Sequence, residues 1–187
     1  MKFIFKLIPF LIPIAIGVIL FSTKSDPAVE AQSQDCNLIR ISDGDTIVCN
    51  VVTERIQNRV TEQVQSEEKI RFCGIDAPES SQPLGRESKQ KLTDFLQGKE
   101  IIISPIERDQ YGRLVAEVFV KISQATEEEL FINAEMVRSG MAYHYAQYSD
   151  SCQGKDEIAI AEAEAQARSI GVWNGNYQYP WDFRRQR

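Results

Sequence analysis

The 187-residue sequence contains a single histidine, His144, and this scarcity restricts the chemistry open to the chain. A metal site built on several imidazoles is excluded, and a serine or cysteine nucleophile that needs a histidine base would have to use this one. His144 lies in the aromatic segment 141–148, which favours a structural or substrate-stacking role. General acid–base chemistry is therefore expected to fall to carboxylates.

The sequence also lacks a Cys-x-x-Cys pair. Its four cysteines are widely spaced, at positions 36, 49, 73 and 152, which argues against a zinc cluster. One or two disulfides formed in an oxidising compartment are expected, with three pairings open. The alternative is that Cys49 and Cys73, which sit in strand-like runs, are buried apolar thiols.

The sequence also has no excess of positive charge. The formal net charge is −6 at pH 7, whereas proteins that bind nucleic acid usually carry a basic surface. Any site for a polyanion must therefore be a local patch, or must take its positive charge from a bound metal ion.

One long apolar run is present, at the start of the chain. Residues 3–21 are almost all apolar, with Lys2 and Lys6 on their N-terminal side, the pattern of a secretory signal. The small side chain of Ala31 allows cleavage after it, so residues 1–31 are predicted to be a signal peptide and 32–187 the functional domain. The alternative is an uncleaved membrane anchor through residues 3–21, because a span needs ~17–25 residues. In both cases the domain is expected to be exported: secreted, periplasmic, or anchored and facing outside the cytoplasm.

Strand-like runs and helical segments follow in the order β-β-β-α-β-β-α-α. Strands are predicted over 38–41, 46–52, 69–75, 100–106 and 113–122, and helices over 85–96, 131–139 and 156–169. This order predicts an α+β domain, a small antiparallel barrel with helices packed outside it. The polar segment 53–68 either extends the first hairpin or forms a loop.

Two carboxylates differ from the many on predicted helix surfaces. Asp45 and Asp76 each stand at a strand edge, beside Gly44 or near Pro78, where a tight turn fixes the direction of the side chain. Two such oxygens and a backbone carbonyl suit a hard cation such as Ca²⁺. The same residues are also ordinary turn formers, so the spacing leaves both interpretations open.

Two arginines stand close to these turns in the predicted topology. Arg71 precedes Asp76 on the third strand, and Arg113 opens the fifth strand after a Tyr-Gly turn. Taken singly, each is an ordinary surface arginine. If they converge, two guanidinium groups can bind a phosphate and stabilise negative charge that develops on it.

Four ordered motifs resemble the staphylococcal nuclease (thermonuclease) family. They are Ser-Asp-Gly-Asp-Thr at 42–46, Ile-Arg-Phe-Cys-Gly-Ile-Asp-Ala-Pro-Glu at 70–79, Asp-Gln-Tyr-Gly-Arg at 109–113 and Asn-Ala-Glu-Met-Val-Arg-Ser-Gly-Met-Ala at 133–142. The segment 162–173 is similar to the closing helix of the family, and 180–185 to the ending of exported bacterial members. The resemblance covers about residues 36–174.

The resemblance implies a five-stranded barrel of the oligonucleotide-binding (OB) type with about three packed α-helices. It further implies Ca²⁺-dependent hydrolysis of the P–O5′ bond of DNA and RNA, which leaves 3′-phosphate ends. DNA and RNA are then the substrates, no protein partner is implied, and a monomer is expected.

The resemblance also implies a role for each matching residue. Asp45, Asp76 and the backbone carbonyl of Ala77 would bind Ca²⁺; Glu79 would be the general base; Arg71 and Arg113 would hold the phosphate; Tyr111 and Tyr148 would flank the nucleotide. The main alternative is a non-catalytic module of the same fold that binds nucleic acid or protein at the cell envelope. A degenerate copy of that kind would be expected to lack some of these carboxylates or arginines, and this chain has them all.

Overall fold

The computed structural model describes residues 33–57, 60–123, 125–126 and 128–186. The predicted leader, residues 1–31, lies outside these ranges. Among the described residues, no helix combines the length and the hydropathy of a membrane span.

The described chain alternates strands and helices around one barrel. The strands are β1 (Gln34–Ile41), β2 (Thr46–Gln57), β3 (Val60–Phe72), β4 (Ile75–Asp76), β5 (Ile101–Arg108), β6 (Leu114–Lys121), β7 (Glu129–Phe131) and β8 (Tyr143–His144). The helices are α1 (Gly85–Leu96), α2 (Ile132–Arg138), α3 (Lys155–Ala167) and α4 (Pro180–Arg185).

Five of these strands close into a ring. Strand β1 pairs antiparallel with β2 and β5, β2 with β3, and β5 with β6. The ring closes where β3 and β6 run parallel, with Ile70, Arg71 and Phe72 opposite Leu114, Val115 and Ala116. We call this short pairing the parallel seam. The predicted α+β fold with a five-stranded OB-type barrel is confirmed, although one of its pairings is parallel.

The prediction of one continuous third strand over 69–75 is wrong. Strand β3 ends at Phe72, a turn follows, and β4 is a separate strand that pairs with β8. The turn contains Gly74 at φ +72°, a backbone conformation that glycine adopts at little cost. This break turns the chain so that Asp76 lies beside Arg71 instead of farther along the same strand.

The sequence allows segment 53–68 to extend the β1–β2 hairpin or to form a loop; in the structure residues 53–57 continue β2 and residues 60–68 begin β3, and together they form the arms of a second hairpin. Strands β2 and β3 stay paired from Thr46 opposite Arg71 to Gln57 opposite Val60. Residues 58 and 59, which separate the two strands in the sequence, lie outside the described ranges.

Three predicted helices are confirmed, and a fourth was not predicted. Helix α1 has the predicted bounds, and its buried Leu92 and Leu96 face the barrel at helical spacing. Helices α2 and α3 begin and end within two residues of the predicted bounds. Helix α4 begins at Pro180. The sequence predicts no helix there and shows only that residues 180–185 are similar to the ending of exported bacterial members of the family.

Apolar side chains from the five barrel strands and from α1, α2 and α3 form one core. Two disulfides support it, Cys36–Cys49 between β1 and β2, and Cys73–Cys152, which ties the end of β3 to the segment before α3. The expectation of disulfides is confirmed, and neither Cys49 nor Cys73 is a free thiol.

Candidate active site

A cleft of about 830 Å³ opens at one side of the barrel. Its walls come from the β1–β2 turn, the end of β3 with β4 and the loop after it, the β5–β6 turn, residues 145–148 and helix α4. All eight site residues predicted from the sequence line it: Asp45, Arg71, Asp76, Ala77, Glu79, Tyr111, Arg113 and Tyr148. The barrel therefore brings together residues that are far apart in the sequence.

Asp45 and Asp76 lie at the bottom of this cleft. Both are buried, and Asp76 is only 1% exposed. Asp45 Oδ2 accepts a hydrogen bond of 2.6 Å from the backbone N–H of Ala77, which fixes the β1–β2 turn against the chain after β4. This close approach requires Gly44, because a β-carbon there would lie 2.8 Å from that of Ala77 and 1.8 Å from the Ser88 hydroxyl.

Arg71 connects the two buried carboxylates. Its Nη1 lies 3.2 Å from Asp45 Oδ1 and its Nη2 2.8 Å from Asp76 Oδ1. Nη1 also donates to the carbonyl of Phe72 at 3.1 Å. The side chain is 13% exposed, so the guanidinium group is fixed by the same carboxylates that were predicted to bind the metal.

Asp43 joins this carboxylate cluster, although the sequence-based prediction did not include it. It accepts a 3.2 Å hydrogen bond from the backbone N–H of Asp45. Burial and the nearby charge of Asp45 raise the pKa of Asp43 to about 7. The signal that could have identified it was its place in the same Ser-Asp-Gly-Asp-Thr turn.

Asp76 has a raised pKa for the same two reasons. Burial is the larger cause and repulsion from Asp45 the second, and together they raise the pKa of Asp76 to about 6 although Arg184 and Arg71 oppose them. Three carboxylates, those of Asp43, Asp45 and Asp76, thus lie close to two guanidinium groups, those of Arg71 and Arg184.

These donors suit a hard divalent cation. Asp45, Asp76 and the carbonyl of Ala77 supply oxygen atoms only, the chemistry that Ca²⁺ prefers. Burial is the larger cause of the raised pKa values of Asp43 and Asp76, and an added cation would relieve the second cause, the repulsion from Asp45. In the part of the chain that the structure describes, no three His, Cys, Asp or Glu side chains are grouped to hold a metal ion alone. A cation here would therefore need backbone and water oxygens beside the two carboxylates.

Glu79 lies at the mouth of the cleft on a tightly held loop. Its N–H donates to Gln82 Oε1 at 2.9 Å, and its carbonyl accepts from the N–H of Gln82 at 2.7 Å. Gly85 packs against the same carbonyl so closely that a β-carbon there would lie 2.0 Å from the oxygen. The backbone of Glu79 is thus fixed, and its carboxylate, 32% exposed, reaches the solvent of the cleft.

The β5–β6 turn carries Arg113 and Tyr111. Asp109 organises this turn: Oδ1 accepts the N–H groups of both residues at 2.9 Å, and Oδ2 lies 2.6 Å from Arg113 Nε. Partial burial raises the pKa of Asp109, but the hydrogen bonds from Arg113 outweigh it, and the pKa lies below its usual value. Tyr111 is 75% exposed, and the Arg113 guanidinium lies 5.5 Å from its ring centre.

Tyr145 and Tyr148 also line the cleft, and their ring centres lie 4.7 Å apart. Tyr148 is 60% exposed. Behind them, Trp181 of α4 stacks between Tyr145 at 4.9 Å and Tyr179 at 4.5 Å. The sequence identified Tyr148 but missed Tyr145 and Trp181, because only the docking of α4 brings these rings together.

Arg184 on α4 is the largest addition to the predicted site. Its Nη1 lies 2.8 Å from Glu79 Oε1 and 3.1 Å from Asp76 Oδ1, and its Nη2 lies 2.8 Å from Asp76 Oδ2. Although partial burial acts the other way, the hydrogen bonds to Asp76 and Glu79 raise the pKa of Arg184 above its ordinary value.

His144 takes no part in this cluster. Its Nε2 lies 3.0 Å from the Ser149 hydroxyl, and its backbone N–H donates to Glu162 at 2.9 Å. Burial lowers the pKa of its imidazole, and Glu162 only partly opposes this. These contacts agree with the structural role that the sequence favoured.

Comparison with known proteins gives a consistent set of similarities. A family model described as "Staphylococcal nuclease homologue" matches residues 69–175. An "Uncharacterized endonuclease" of Haemophilus influenzae is 35% identical over 161 residues, which cover 85% of this chain and 78% of that protein. "Micrococcal nuclease" of Shigella flexneri is 34% identical over 151 residues, 79% of each chain.

Plant proteins are similar over a shorter part. "Probable staphylococcal-like nuclease CAN3" of Oryza sativa subsp. japonica is 38% identical over 120 residues, 64% of this chain. The chain spans 29% of the length of that plant protein, in contrast to the bacterial relatives.

Proposed function

Because the chain belongs to the staphylococcal nuclease family, we propose that it is a Ca²⁺-dependent nuclease that hydrolyses the P–O5′ bond of DNA and RNA and leaves 3′-phosphate ends. The observation that carries this proposal is the convergence of Asp45, Arg71, Asp76 and Glu79 in one bonded cluster. Arg113 lines the same cleft.

In the proposed mechanism, Asp45, Asp76 and the carbonyl of Ala77 would hold Ca²⁺. The bound cation would supply Lewis-acid stabilisation of the negative charge that develops on the phosphate oxygens. Asp45 suits this role because its direction is fixed by the Ala77 N–H, and Asp76 because it is buried and held by Arg71.

Glu79 acts as the general base. Its carboxylate at the mouth of the cleft takes a proton from a water molecule as the water oxygen forms a bond to phosphorus. The P–O5′ bond breaks on the opposite side, and the departing O5′ takes a proton from solvent. The tight loop from Glu79 to Gly85 supports this role because it fixes the backbone from which the base projects.

Arg71 and Arg113 bind the phosphate and stabilise charge in the transition state. Arg71 lies on β3 and Arg113 immediately precedes β6, the strand that pairs with β3 at the parallel seam. Guanidinium groups fixed before substrate binds stabilise the transition state without further reorganisation. Tyr111 and Tyr148, both exposed at the cleft, are suited to stack against nucleotide bases.

We further propose that the enzyme acts outside the cytoplasm. The two disulfides favour an oxidising compartment, in agreement with the apolar N-terminal run of the sequence. Whether residues 1–31 are removed or anchor the protein in a membrane stays a prediction, as does the monomeric state. A mass measurement on the exported protein distinguishes cleavage after Ala31 from an intact leader.

The test of the proposed reaction uses single-stranded DNA and RNA with added Ca²⁺. We expect degradation of both polymers, loss of degradation in excess EGTA, and its return when Ca²⁺ is restored. The Glu79→Gln protein should cut at least ~10²-fold more slowly while it unfolds at the same temperature. The Glu87→Gln protein is the matched control, because Glu87 is an exposed residue of α1 outside the cleft.

Full activity in EGTA, or an unimpaired Glu79→Gln protein, would contradict the mechanism. Binding of both polymers without cleavage would instead favour the non-catalytic module of the same fold.

A further inference from the structure

The C-terminal helix α4 contributes to the active site from a part of the chain that no site motif covers. Arg184 lies 105 positions after Glu79 and 108 after Asp76, and it is hydrogen-bonded to both. One guanidinium group thus bridges the proposed base and a proposed metal ligand.

The geometry points to Arg184 as a positioning residue of the nuclease site, which holds the Glu79 carboxylate in a fixed direction beside Asp76. This inference rests on the proposed function, because it assumes that Glu79 is the base. Arg184 is a positioning residue here and not a catalytic one, since its hydrogen bonds go to protein carboxylates.

The first argument concerns the freedom of Glu79. Its backbone is fixed by Gln82 and Gly85, but a glutamate side chain has three rotatable bonds and its carboxylate is partly exposed. Without a partner such a carboxylate would sample several directions. The 2.8 Å bond from Arg184 Nη1 selects one of them.

The second argument is that Arg184 is itself held in place. Two of its nitrogens bind the two oxygens of Asp76, the bidentate geometry that fixes the plane of a guanidinium group. Asp76 is buried and is held from the other side by Arg71 at 2.8 Å. Because Arg184 is fixed by the buried carboxylate of Asp76, it can in turn fix the partly exposed carboxylate of Glu79.

The third argument is the attachment of α4 to the cleft wall. Trp181 is stacked between Tyr145 and Tyr179, and Pro180 is buried. The carbonyl of Gln178 accepts a 3.0 Å hydrogen bond from Gln82, the residue that also binds the backbone of Glu79. Helix α4 and the loop of the base thus form one connected unit.

Arg185 provides the contrast within the same helix. It is 69% exposed, and its ion pair is with Asp182, three positions earlier on α4. Arg184→Gln and Arg185→Gln therefore remove the same charge from adjacent positions, and only the first removes a contact with the site.

The experiment measures kcat and KM on single-stranded DNA at saturating Ca²⁺ for the full chain and for Arg184→Gln, Arg185→Gln, Glu79→Gln and the double variant Glu79→Gln/Arg184→Gln. We expect Arg184→Gln to lower kcat by about tenfold or more with KM changed less than threefold, because a general base contributes ~10²–10⁴-fold and would be misdirected but still present. Arg185→Gln should stay within twofold of the wild type.

The double variant tests whether Arg184 acts through Glu79. If it does, its removal from the Glu79→Gln protein should change kcat less than twofold, because the base that it orients is already gone. An equal loss in both backgrounds would overturn the inference, because Arg184 would then act independently of Glu79. A loss confined to KM would also overturn it, because Arg184 would then act on substrate binding.

A second readout needs no turnover. Ca²⁺ binding is measured by calorimetry in the absence of nucleic acid, and Arg184→Gln should bind Ca²⁺ several-fold more tightly, because a positive charge beside Asp76 has been removed. Weaker binding would mean that Arg184 only supports the fold of the carboxylates, and the inference would be wrong.

The two proposals can fail separately. If the wild type shows no Ca²⁺-dependent cleavage, or Glu79→Gln is unimpaired, the proposed function fails. If both of those results are as expected and Arg184→Gln keeps the wild-type kcat, only the role of Arg184 is refuted.

Discussion

Gly85 packs against the carbonyl of Glu79 so closely that a β-carbon at Gly85 would lie 2.0 Å from that oxygen. Because the contact is with backbone, the loop must move to admit a side chain, and we expect Gly85→Ala to lower the free energy of unfolding by about 1–3 kcal/mol. The displaced Glu79 should also lower kcat. Urea unfolding and the DNA cleavage assay, run on the same preparation, measure the two effects.

Gly98→Ala is the control for this substitution. Gly98 has φ +69°, and a β-carbon there would meet no atom within 4 Å, so the change strains only its own backbone. It should cost about 1–2 kcal/mol of stability and leave kcat unchanged. Equal kcat values for the two variants would show that Gly85 does not position Glu79.

Arg113 is expected to contribute to turnover and little to folding, because its ion pair with Asp109 lies within one turn. Arg113→Gln should lower kcat/KM by about 10²-fold, the usual loss when one donor to a transition-state oxygen is removed. Arg86→Gln, at an exposed position of α1, changes the charge equally and should have no such effect. If Arg113→Gln and Arg86→Gln lower kcat/KM by similar factors, both arginines act by long-range attraction of the substrate. In that case kcat/KM of both variants should depend less on salt concentration than that of the wild type.

The two disulfides should differ in their contribution to stability. Cys73–Cys152 joins residues 79 positions apart, and Cys36–Cys49 joins residues 13 apart. In the chain-entropy description, replacing the first pair with alanine should cost about 1.5 kcal/mol more than replacing the second. Urea unfolding of the two double variants measures the difference, and equal losses would contradict it.

Trp181→Ala removes the ring that stacks between Tyr145 and Tyr179. We expect stability to fall by about 1–3 kcal/mol and kcat to fall toward that of Arg184→Gln, because α4 would no longer be held on the cleft wall. Thermal unfolding and steady-state kinetics check the two effects. Tyr111→Ala is the control for stability, since Tyr111 is 75% exposed and should leave the unfolding temperature unchanged. A wild-type kcat in the Trp181→Ala protein would mean that α4 stays docked without this ring.

The barrel and much of the site could be predicted because their signals are local. The bounds of α1 follow from apolar spacing and the glycine at 98, and Asp45 and Asp76 were identified from turn residues beside strands. Arg71 and Arg113 needed the family motifs as well, because a single arginine gives no signal of its own.

The features that the sequence did not predict depend on contacts between segments far apart in the chain. Arg184 belongs to the site only because α4 docks on Tyr145, and neither propensity nor periodicity in residues 180–185 indicates where that helix packs. The break between β3 and β4 was missed because Cys73 and Gly74 continue an apolar run. Its cause is the positive φ of Gly74, and a single glycine in a strand-like run does not reveal it.

The parallel seam has a consequence for how activity is acquired. Arg71 lies in that seam opposite Val115. The cleft therefore cannot form from strands β1, β2 and β3 alone; it forms only when β6 pairs with β3. Pairing of segments so far apart in the sequence is slow compared with hairpin formation. During refolding, nuclease activity should consequently return with the slowest spectroscopic phase and never before it. The recovery of activity would then measure the rate at which the barrel closes.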